Sequence, residues 1–377
     1  MKTDCLAMVL VGGSGSRLHP ITKQTAKPAV TFGGKYKLID FVLSNLSNSN
    51  INTVGIITQY EPHALMNYIE HGATWDLDIT DGGIQFLTPY TSSDGEHWQK
   101  GTAHAIRQHM RFIDQHQPNH VLILPGDHVY KMDYNEMLKN HKESDVDITL
   151  GVFEPRDSLS RYGVLKTDEK GYVAEFDEKP KEPKSTLASM GIYIFKTEAL
   201  KRILKEELKE QFDFGKDIIP KALKEHYSIK AYTYQGYFRD VGTIKSLYEA
   251  NMDLIHHPEY LKLFDEKHLP LYTKPTDFPP HHIRRKNAVK DALISDGCVV
   301  LGAITRSVLA PNIKVGLGAL IKDSIIHENV VIGDHCTLKN VIVMPGTVIM
   351  KDTDIVFDEI TVVNNEMLWA LGADVDE

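Results

Sequence analysis

An aliphatic residue stands at every sixth position along the last part of the chain. The series comprises Leu320, Ile326, Ile332, Leu338, Met344, Met350, Val356 and Val362. Six residues per side is the spacing of a three-sided parallel β-helix, in which each aliphatic residue points into the prism. A companion series keeps the same spacing and comprises Val330, Cys336, Ile342 and Val348. We therefore predict a β-helix in which Cys336 is a core thiol and His327 and His335 stand at corners.

The first two thirds of the chain alternate β-rich apolar runs with amphipathic stretches. Strands are predicted over 6–11, 53–58, 121–124, 148–153 and 191–195, and helices over 103–115, 134–143, 198–209 and 246–255. This alternation is typical of an α/β fold built on a largely parallel sheet. Residues 256–280 are polar and contain five prolines, which favours an irregular connection. The predicted organisation is thus an α/β domain over 1–255, a linker over 256–285 and a β-helix over 286–377.

Composition limits the partners and the compartment. The 377 residues include 42 Lys plus Arg and 51 Asp plus Glu, and the net charge of −9 has the wrong sign for a protein that binds nucleic acid. The apolar run over 5–11 is too short for a membrane span and has no cleavage site after it. The three cysteines lie far apart, which indicates no disulfide framework. We expect a cytoplasmic protein with neither a nucleic-acid nor a membrane partner.

A glycine-rich loop follows the first predicted strand. It contains Gly12, Gly13, Gly15, Ser16 and Arg17, and Lys27 stands ten residues after Arg17. Glycines leave backbone N–H groups open to close approach by phosphates, and two cations beside such a loop suit a polyphosphate. The loop lacks the third glycine of a Rossmann fingerprint and the Gly-Lys-Ser/Thr of a P-loop. The alternative is a tight turn flanked by surface cations.

Two aspartates follow predicted β-structure. Asp127 stands just after the strand over 121–124, and Asp240 also follows a β-like run. Open α/β sheets bind ligands at the carboxyl ends of their strands, and carboxylates are natural Mg²⁺ ligands. Either aspartate could instead cap a following helix. Glu178-Lys179-Pro180 ends another extended stretch, where a lysine held by its neighbour can bind a phosphate.

These segments together resemble the bacterial glucose-1-phosphate adenylyltransferases, and the resemblance covers nearly the whole chain. The segments that carry it are residues 12–18, 26–30, 32–36, 101–103, 126–131, 178–180, 189–193, 214–220 and 240–243. The resemblance implies a Rossmann-like nucleotidyltransferase domain followed by a left-handed β-helix. It also implies the reaction of ATP with glucose 1-phosphate to give ADP-glucose and pyrophosphate, the committed step of bacterial glycogen synthesis, with Mg²⁺ as cofactor.

The resemblance also implies a role for each matching residue. Arg17 would grip the β- and γ-phosphates, Lys27 would stabilise charge at the α-phosphate, and Asp127 and Asp240 would hold Mg²⁺. The nucleotide would contact Gly12, Gly13, Gly15, Ser16, Gln59, Gly101 and Thr102. Glucose 1-phosphate would contact Gln99, Gly163, Glu178, Lys179 and Ser189.

Some features leave alternatives open. Gln99 stands where the family usually has a tyrosine that contacts glucose 1-phosphate, a difference that favours a non-catalytic regulatory subunit paired with an active paralogue. Another nucleotide specificity within the superfamily is a second alternative, and an acyltransferase with His327 or His335 as base is a third. The basic cluster over 281–286 could bind an anionic effector, as in an allosteric enzyme, or form a solvated linker. The family is usually tetrameric, which implies a homotetramer or a heterotetramer with a homologous subunit.

Overall fold

The structure is a computed structural model, and it divides into two compact units. It describes residues 4–13, 15–89, 91–92, 95–96, 98–155, 158–205, 212–263, 267–285 and 288–370. Unit one comprises Met1–Gly13, Phe41–Phe238 and Asp265–Tyr272, and unit two comprises Ser14–Asp40, Arg239–Phe264 and Thr273–Glu377. The division therefore interleaves along the chain, whereas the sequence predicts consecutive domains. Residues 14–40 and 239–264 belong to the same unit as the C-terminal part because their contacts are mainly with it.

Unit one is built on a nine-stranded sheet. The order of its neighbouring strands is Val173–Glu178, Gly163–Thr167, Leu187–Lys196, His120–Pro125, Cys5–Leu10, Thr53–Ile57 and Gly83–Leu87. The two other strands extend from this path: Ile148–Phe153 pairs with Leu187–Lys196 and also with Ile229–Thr233. The described strands point one way except Val173–Glu178 and Leu187–Lys196. The prediction of an α/β fold with a mostly parallel sheet is confirmed. The strand over 148–153 is confirmed to the residue, and the other predicted strands begin or end one to four residues away.

The helices of the described residues are distributed over both units. They are Leu38–Asn48, Pro62–Ile69, Thr102–Gln108, Met110–His116, Tyr134–Ser144, Thr197–Lys205, Ile219–Lys224, Ile244–His256, Pro258–Leu261 and Asn365–Ala370. Tyr134–Ser144 shows how the sequence sets the bounds. The carboxylate of Asp133 accepts the N–H of Asn135 at its start, and Asp145 adopts a left-handed φ of 49° at its end. Residues 206–209 of the predicted helix over 198–209 lie outside the described residues.

The predicted helix over 103–115 is two helices, so that prediction is wrong in detail. Thr102–Gln108 and Met110–His116 are separated by His109, whose backbone angles of −106° and 20° leave the helical region. Both helices bury apolar side chains in the same core. The apolar spacing continues across the break, and periodicity therefore gives no sign of it.

Unit two contains the β-helix. One parallel sheet comprises His282–Ile283, Val299–Val300, Lys314–Val315, Val331–Ile332 and Val348–Ile349. Another comprises Val289–Ile294, Ala303–Leu309, Leu320–Lys322, Ile325–Ile326, Thr337–Val343 and Asp354–Val363. The first coil begins at His282, inside the stretch that the sequence assigns to the linker. The other short strands in the described ranges are Thr31–Phe32, Tyr36–Lys37, Thr91–Ser92, Gly95–Glu96, His128–Tyr130 and Phe238–Asp240.

The β-helix is confirmed, but its strict six-residue register is wrong. Val315 pairs with Ile332 and Ile332 with Ile349, so a coil takes 17 residues. A six-residue series therefore slips by one position per coil. Leu320 and Val356, both predicted to point inward, are each 52% exposed. The columns that do point inward contain Val315, Ile332 and Ile349; Ile304, Ile321, Leu338 and Ile355; and Leu309, Ile326 and Val343.

The prediction of a core thiol is confirmed, and the two histidines predicted at corners both lie between strands but differ in exposure. Cys336 is fully buried and, like Cys5 and Cys298, is a free thiol. His335 is exposed at a turn with φ of 57°. His327 is 3% exposed, because it directly follows the inward-facing strand Ile325–Ile326.

The stretch over 256–280, predicted to be irregular, contains the short helix Pro258–Leu261 and is irregular over its described residues after that helix. Ser44 and Asn48, on the helix Leu38–Asn48, hydrogen-bond to the backbone of Tyr272 and Pro270. Lys286 of the basic cluster lies outside the described residues, and His281, His282, Arg284 and Arg285 are exposed. None of the helices in the described ranges combines the length and apolar character needed to cross a membrane.

A buried histidine makes the stability of unit one depend on pH. Burial, together with the neighbouring His120 and Lys196, lowers the pKa of His141 to about 3. The folded pKa lies below the unfolded value, so the stabilisation is complete above pH 6.5 and is lost as the pH falls towards 3. The expected slope is about 1.4 kcal/mol per pH unit. Urea unfolding between pH 6.5 and pH 4, compared with a variant that lacks this imidazole, should show His141's contribution to the slope.

The matching variant is His141→Gln, with the exposed His63→Gln as control. We expect H141Q to lose stability less steeply with falling pH than the parent protein and H63Q to follow the parent. Equal slopes for H141Q and the parent would contradict the assignment.

Candidate functional site

Three neighbouring parallel strands of unit one deliver predicted site residues from their carboxyl ends. Gly12 and Gly13 follow Cys5–Leu10, Gln59 follows Thr53–Ile57, and Asp127 follows His120–Pro125. The N–H of Gly126 donates to the carbonyl of Leu10 and ties two of these ends together. Ligands of open α/β sheets bind at this edge.

Asp127 is not a helix cap, so that alternative is wrong for this residue. The next element is the strand His128–Tyr130. The Asp127 side chain is 26% exposed, and its Oδ1 lies 3.6 Å from Nε2 of His128. The carboxylate thus lies beside His128 and is partly exposed.

Gly12 lies against two glutamines. A Cβ on Gly12 would stand 3.1 Å from Oε1 of Gln99 and 3.4 Å from Cβ of Gln59. Gln99, assigned from the sequence to glucose 1-phosphate, therefore lies beside two residues assigned to the nucleotide. Its Nε2 is 3.5 Å from Nε2 of His109, and burial lowers the pKa of His109 to about 4. A neutral imidazole adds no charge to this group at neutral pH.

A second group in unit one surrounds Glu178. Gly163 pairs with Glu178 across two strands, and a Cβ on Gly163 would lie 2.9 Å from its Oε2. Lys179 Nζ is 3.1 Å from Glu178 Oε1 and the Lys179 side chain is 60% exposed. Ser189 is buried, and its Oγ accepts the N–H of Gly191. Gly163 and Lys179 therefore lie beside Glu178, whereas Gln99 lies in the other group.

Sequence reasoning assigned no role to three further residues of this group. Burial raises the pKa of the Tyr193 phenol, and the charge of the Glu178 carboxylate raises it further. A Cβ on Gly215 would lie 2.5 Å from Oε2 of Glu178 and 3.6 Å from Oδ1 of Asp213. Residues 214–220 are one of the segments that carry the family resemblance, but only the fold shows that this segment lies beside Glu178.

Gly101 and Thr102 stand at the start of the helix Thr102–Gln108. The Thr102 hydroxyl donates to the carboxylate of Asp213, and a Cβ on Gly101 would lie 2.4 Å from the carbonyl oxygen of Phe212. Gly101 is therefore required for close backbone packing, whatever else it contacts.

The remainder of the glycine loop belongs to unit two. Gly15 has φ of 61° and its carbonyl accepts a hydrogen bond of 2.7 Å from the Thr22 hydroxyl. A Cβ on Gly15 would lie 3.2 Å from Thr22 and would also be strained by the positive φ. Ser16 and Arg17 then form an exposed turn.

Arg17, Lys27 and Asp240 meet in unit two. Lys27 Nζ lies 3.2 Å from Asp240 Oδ1, and their side chains are 9% and 15% exposed. A Cβ on Gly242 would lie 3.2 Å from Nη2 of Arg17 and 3.0 Å from Oδ1 of Asp240. Two cations thus share the surroundings of one carboxylate, and a polyanion is the ligand that such a group suits.

Asp240 is not a helix cap either. The helix Ile244–His256 is capped by Thr243, whose side chain accepts the N–H of Ser246 while the Ser246 hydroxyl accepts the N–H of Thr243. The residue before Asp240, Arg239, donates a hydrogen bond of 3.1 Å to the carboxylate of Asp253 on that helix. Asp240 is therefore positioned by its neighbours and directed towards Lys27.

The two aspartates have the chemistry of magnesium ligands. Both offer hard carboxylate oxygens, and Mg²⁺ is usually held by one or two carboxylates together with substrate phosphates. Within the described ranges, no group of three or more His, Cys, Asp or Glu side chains is placed to hold a metal ion. Each carboxylate by itself thus fits a cation for which a phosphate substrate would supply further ligands.

Comparison with known proteins assigns the two parts of the chain to known families. A family model described as nucleotidyl transferase matches residues 6–257, and one described as GlmU-like, C-terminal hexapeptide matches residues 274–362. The chain is 50% identical over 336 residues to a glucose-1-phosphate adenylyltransferase of Clostridioides difficile (strain 630), covering 88% of this chain and 87% of the relative. It is 46% identical over 362 residues to one of Bacillus cytotoxicus, covering 95% and 96%. A relative of the same name from Clostridium acetobutylicum is 50% identical over 324 residues, covering 85% of each chain.

Proposed function

The chain belongs to the nucleotidyl transferase family, and within it to the glucose-1-phosphate adenylyltransferases; we propose on this premise that it makes ADP-glucose and pyrophosphate from ATP and α-D-glucose 1-phosphate. The observation that carries the proposal is the group of Arg17, Lys27 and Asp240, because it offers two cations and a carboxylate to a polyphosphate. The C-terminal part belongs to the left-handed β-helix family of hexapeptide repeats. The product is proposed to serve glycogen synthesis.

The reaction requires positioning and charge stabilisation from these residues. A phosphate oxygen of glucose 1-phosphate attacks the α-phosphorus of ATP, and the bond from that phosphorus to the β-phosphate oxygen breaks. The attacking phosphate is already an anion, so the residues need only align two polyanions and offset their charge. Arg17 would bind the β- and γ-phosphates and stabilise the leaving pyrophosphate. Lys27 would stabilise charge that develops at the α-phosphate.

Substrate binding is proposed for the remaining residues. Gly12, Gly13, Gly15 and Ser16 would present backbone N–H groups to the phosphates, and Gln59 and Gly101 would lie near the adenine. Lys179 would bind the phosphate of glucose 1-phosphate, while Gly163, Glu178 and Ser189 would hold the sugar. Gln99 would contact glucose 1-phosphate only weakly, because it lacks the ring of a tyrosine.

Asp127 and Asp240 are the residues that would hold Mg²⁺. When bound, the ion would offset the negative charge of the phosphates and favour departure of pyrophosphate. Asp240 also orients Lys27 through the 3.2 Å contact between them, a role that depends on the protein alone.

We propose an assembly of four homologous chains in the cytoplasm. Flat parallel sheets with exposed aliphatic side chains support it, since Leu320 and Val356 are each 52% exposed. Analytical ultracentrifugation of the purified chain tests this part: a mass of four chains supports a homotetramer, and a smaller assembly would require a homologous partner.

Nucleotide specificity tests the proposed reaction. Pyrophosphate release from ATP, UTP, GTP and dTTP is measured with glucose 1-phosphate and Mg²⁺ under reducing conditions. We expect kcat/KM for ATP to exceed the others by about tenfold or more. A higher kcat/KM for another nucleotide would show that the chain prefers that nucleotide and would contradict the proposed ATP specificity. Absence of turnover with all four nucleotides would favour the regulatory subunit, which the Lys27–Asp240 pair argues against.

A further inference from the structure

One hydroxyl joins the segment 212–217 to the start of the helix Thr102–Gln108. Thr102 Oγ1 donates to Oδ2 of Asp213 at 3.0 Å and accepts the N–H of Phe214 at 3.0 Å. The single proton of the hydroxyl is thereby committed to Asp213. Thr102, assigned from the sequence to the nucleotide, therefore uses its side chain to hold another part of the protein.

The backbone of the segment is attached to the same helix. The carbonyl of Phe212 accepts the N–H of Ala103 at 2.8 Å and that of His104 at 3.1 Å. Gly101 packs so closely on this carbonyl that a Cβ would lie 2.4 Å from its oxygen. The start of the segment thus has little freedom to move relative to Gly101.

Two aspartates hold the segment in one shape. Asp213 Oδ1 accepts the N–H of Lys216 at 3.1 Å. Asp217 Oδ2 accepts the N–H groups of Phe212 and Asp213 at 2.8 and 2.9 Å. Asp213 therefore bonds to Thr102 with one carboxylate oxygen and to the turn Phe214–Ile218 with the other. A displacement at Thr102 would pass through Asp213 to this turn.

The turn ends at the group around Glu178. Gly215 lies against this carboxylate, since a Cβ there would be 2.5 Å from Oε2. The ring of Phe214 stacks on Tyr193 with centroids 5.5 Å apart and an interplanar angle of 29°. The Tyr193 phenol in turn hydrogen-bonds with Ser189, and the charge of Glu178 acts on it. A continuous set of contacts thus runs from Thr102 to the residues assigned to glucose.

We propose that Thr102 is a positioning residue for glucose 1-phosphate, acting through Asp213 on Glu178 and Ser189. The inference rests on the proposed function, because it takes the Glu178 group as the glucose side. Removing the hydroxyl leaves Asp213 Oδ2 and the N–H of Phe214 without this partner, and the segment then shifts under Glu178. Binding of glucose 1-phosphate weakens, whereas binding of ATP does not.

The test is Thr102→Val, which keeps the shape of the side chain and removes the hydroxyl. We expect KM for glucose 1-phosphate to rise about tenfold, with KM for ATP and kcat within about threefold of the parent. Thr102→Ser retains the hydroxyl and should restore KM. Thr233→Val, exposed at the end of the strand Ile229–Thr233, is the matched control and should leave all three constants unchanged.

Two outcomes would overturn the inference. An unchanged KM for glucose 1-phosphate in T102V would show that the hydroxyl positions nothing, and a rise confined to KM for ATP would return Thr102 to the nucleotide. If T102V does not fold, Thr102→Ala gives the same test, because its smaller side chain also lacks the hydroxyl. The parent enzyme decides the proposed function separately, since its turnover of ATP and glucose 1-phosphate is measured first.

Discussion

Replacing Lys27 with glutamine is expected to lower kcat by about 10²- to 10³-fold, because the variant removes a fixed cation from the position where phosphate charge develops. The lysine side chain is 9% exposed and lies 3.2 Å from Oδ1 of Asp240. Water is largely kept from this pair, so solvent cannot replace the lost charge. The measurement is steady-state pyrophosphate release at saturating ATP and glucose 1-phosphate.

The matched control is Lys23→Gln, four residues earlier in the chain. The Lys23 side chain is 64% exposed, and we expect its replacement to leave kcat within about twofold of the parent. Thermal unfolding of both variants separates a loss of chemistry from a loss of folding. A folded K27Q protein with the parent kcat would contradict the role assigned to Lys27.

Replacing Glu328 with glutamine is expected to destabilise unit two by about 3 kcal/mol, since it removes one partner of a largely buried ion pair. Glu328 Oε1 lies 2.7 Å from Nζ of Lys37 and also accepts a hydrogen bond from Thr31. Burial alone would raise the pKa of Glu328, but the charges of Lys37 and His327 and these hydrogen bonds bring it down to about 2. Urea unfolding at pH 7 measures the loss.

The pH dependence gives a second measure of the same pair. The folded pKa lies below the ordinary value of 4.5, so the stabilisation is present above pH 4.5 and is lost as the pH falls towards 2. The difference between the parent and E328Q should therefore be largest near neutral pH and shrink below pH 4.5. Glu359→Gln, on an exposed residue of the same unit, is the control.

A double variant tests whether Lys37 is the partner that matters. Once Glu328 is neutral, the charge of Lys37 has lost the carboxylate that lay 2.7 Å from it, and K37Q should cost less stability in the E328Q background than in the parent. Additive losses would show that the two side chains stabilise unit two independently, contrary to the expectation.

Local sequence patterns predicted helices and strands well where burial alone determines which residues are apolar. The strand over 148–153 is buried along its whole length, and an apolar β-rich run is enough to identify it. The break at His109 and the 17-residue coil were beyond such reasoning. Apolar spacing continues across the break, and a six-residue series stays aliphatic even where Leu320 and Val356 face outward. Periodicity reports which residues are apolar but not how each turn of backbone closes.

The candidate site divides in the same way. Gly12, Gln59 and Asp127 could be predicted as neighbours, because the carboxyl ends of adjacent parallel strands meet at one edge of a sheet. The helix-cap alternatives for Asp127 and Asp240 could not be dismissed without the structure, since a strand-end aspartate and a cap look alike in sequence. Thr243 caps the helix after Asp240, and a strand follows Asp127.

The sequence by itself determined that alternating strands and helices precede a β-helix, together with the residue types that can bind a polyphosphate. Only the tertiary structure decided which polar side chains pair. Lys27 and Asp240 are 213 residues apart, Lys37 and Glu328 are 291 apart, and Thr102 and Asp213 are 111 apart. The physical reason is that hydrogen bonds and ion pairs act over a few ångströms, whereas helical and strand periodicity reports only on neighbours along the chain.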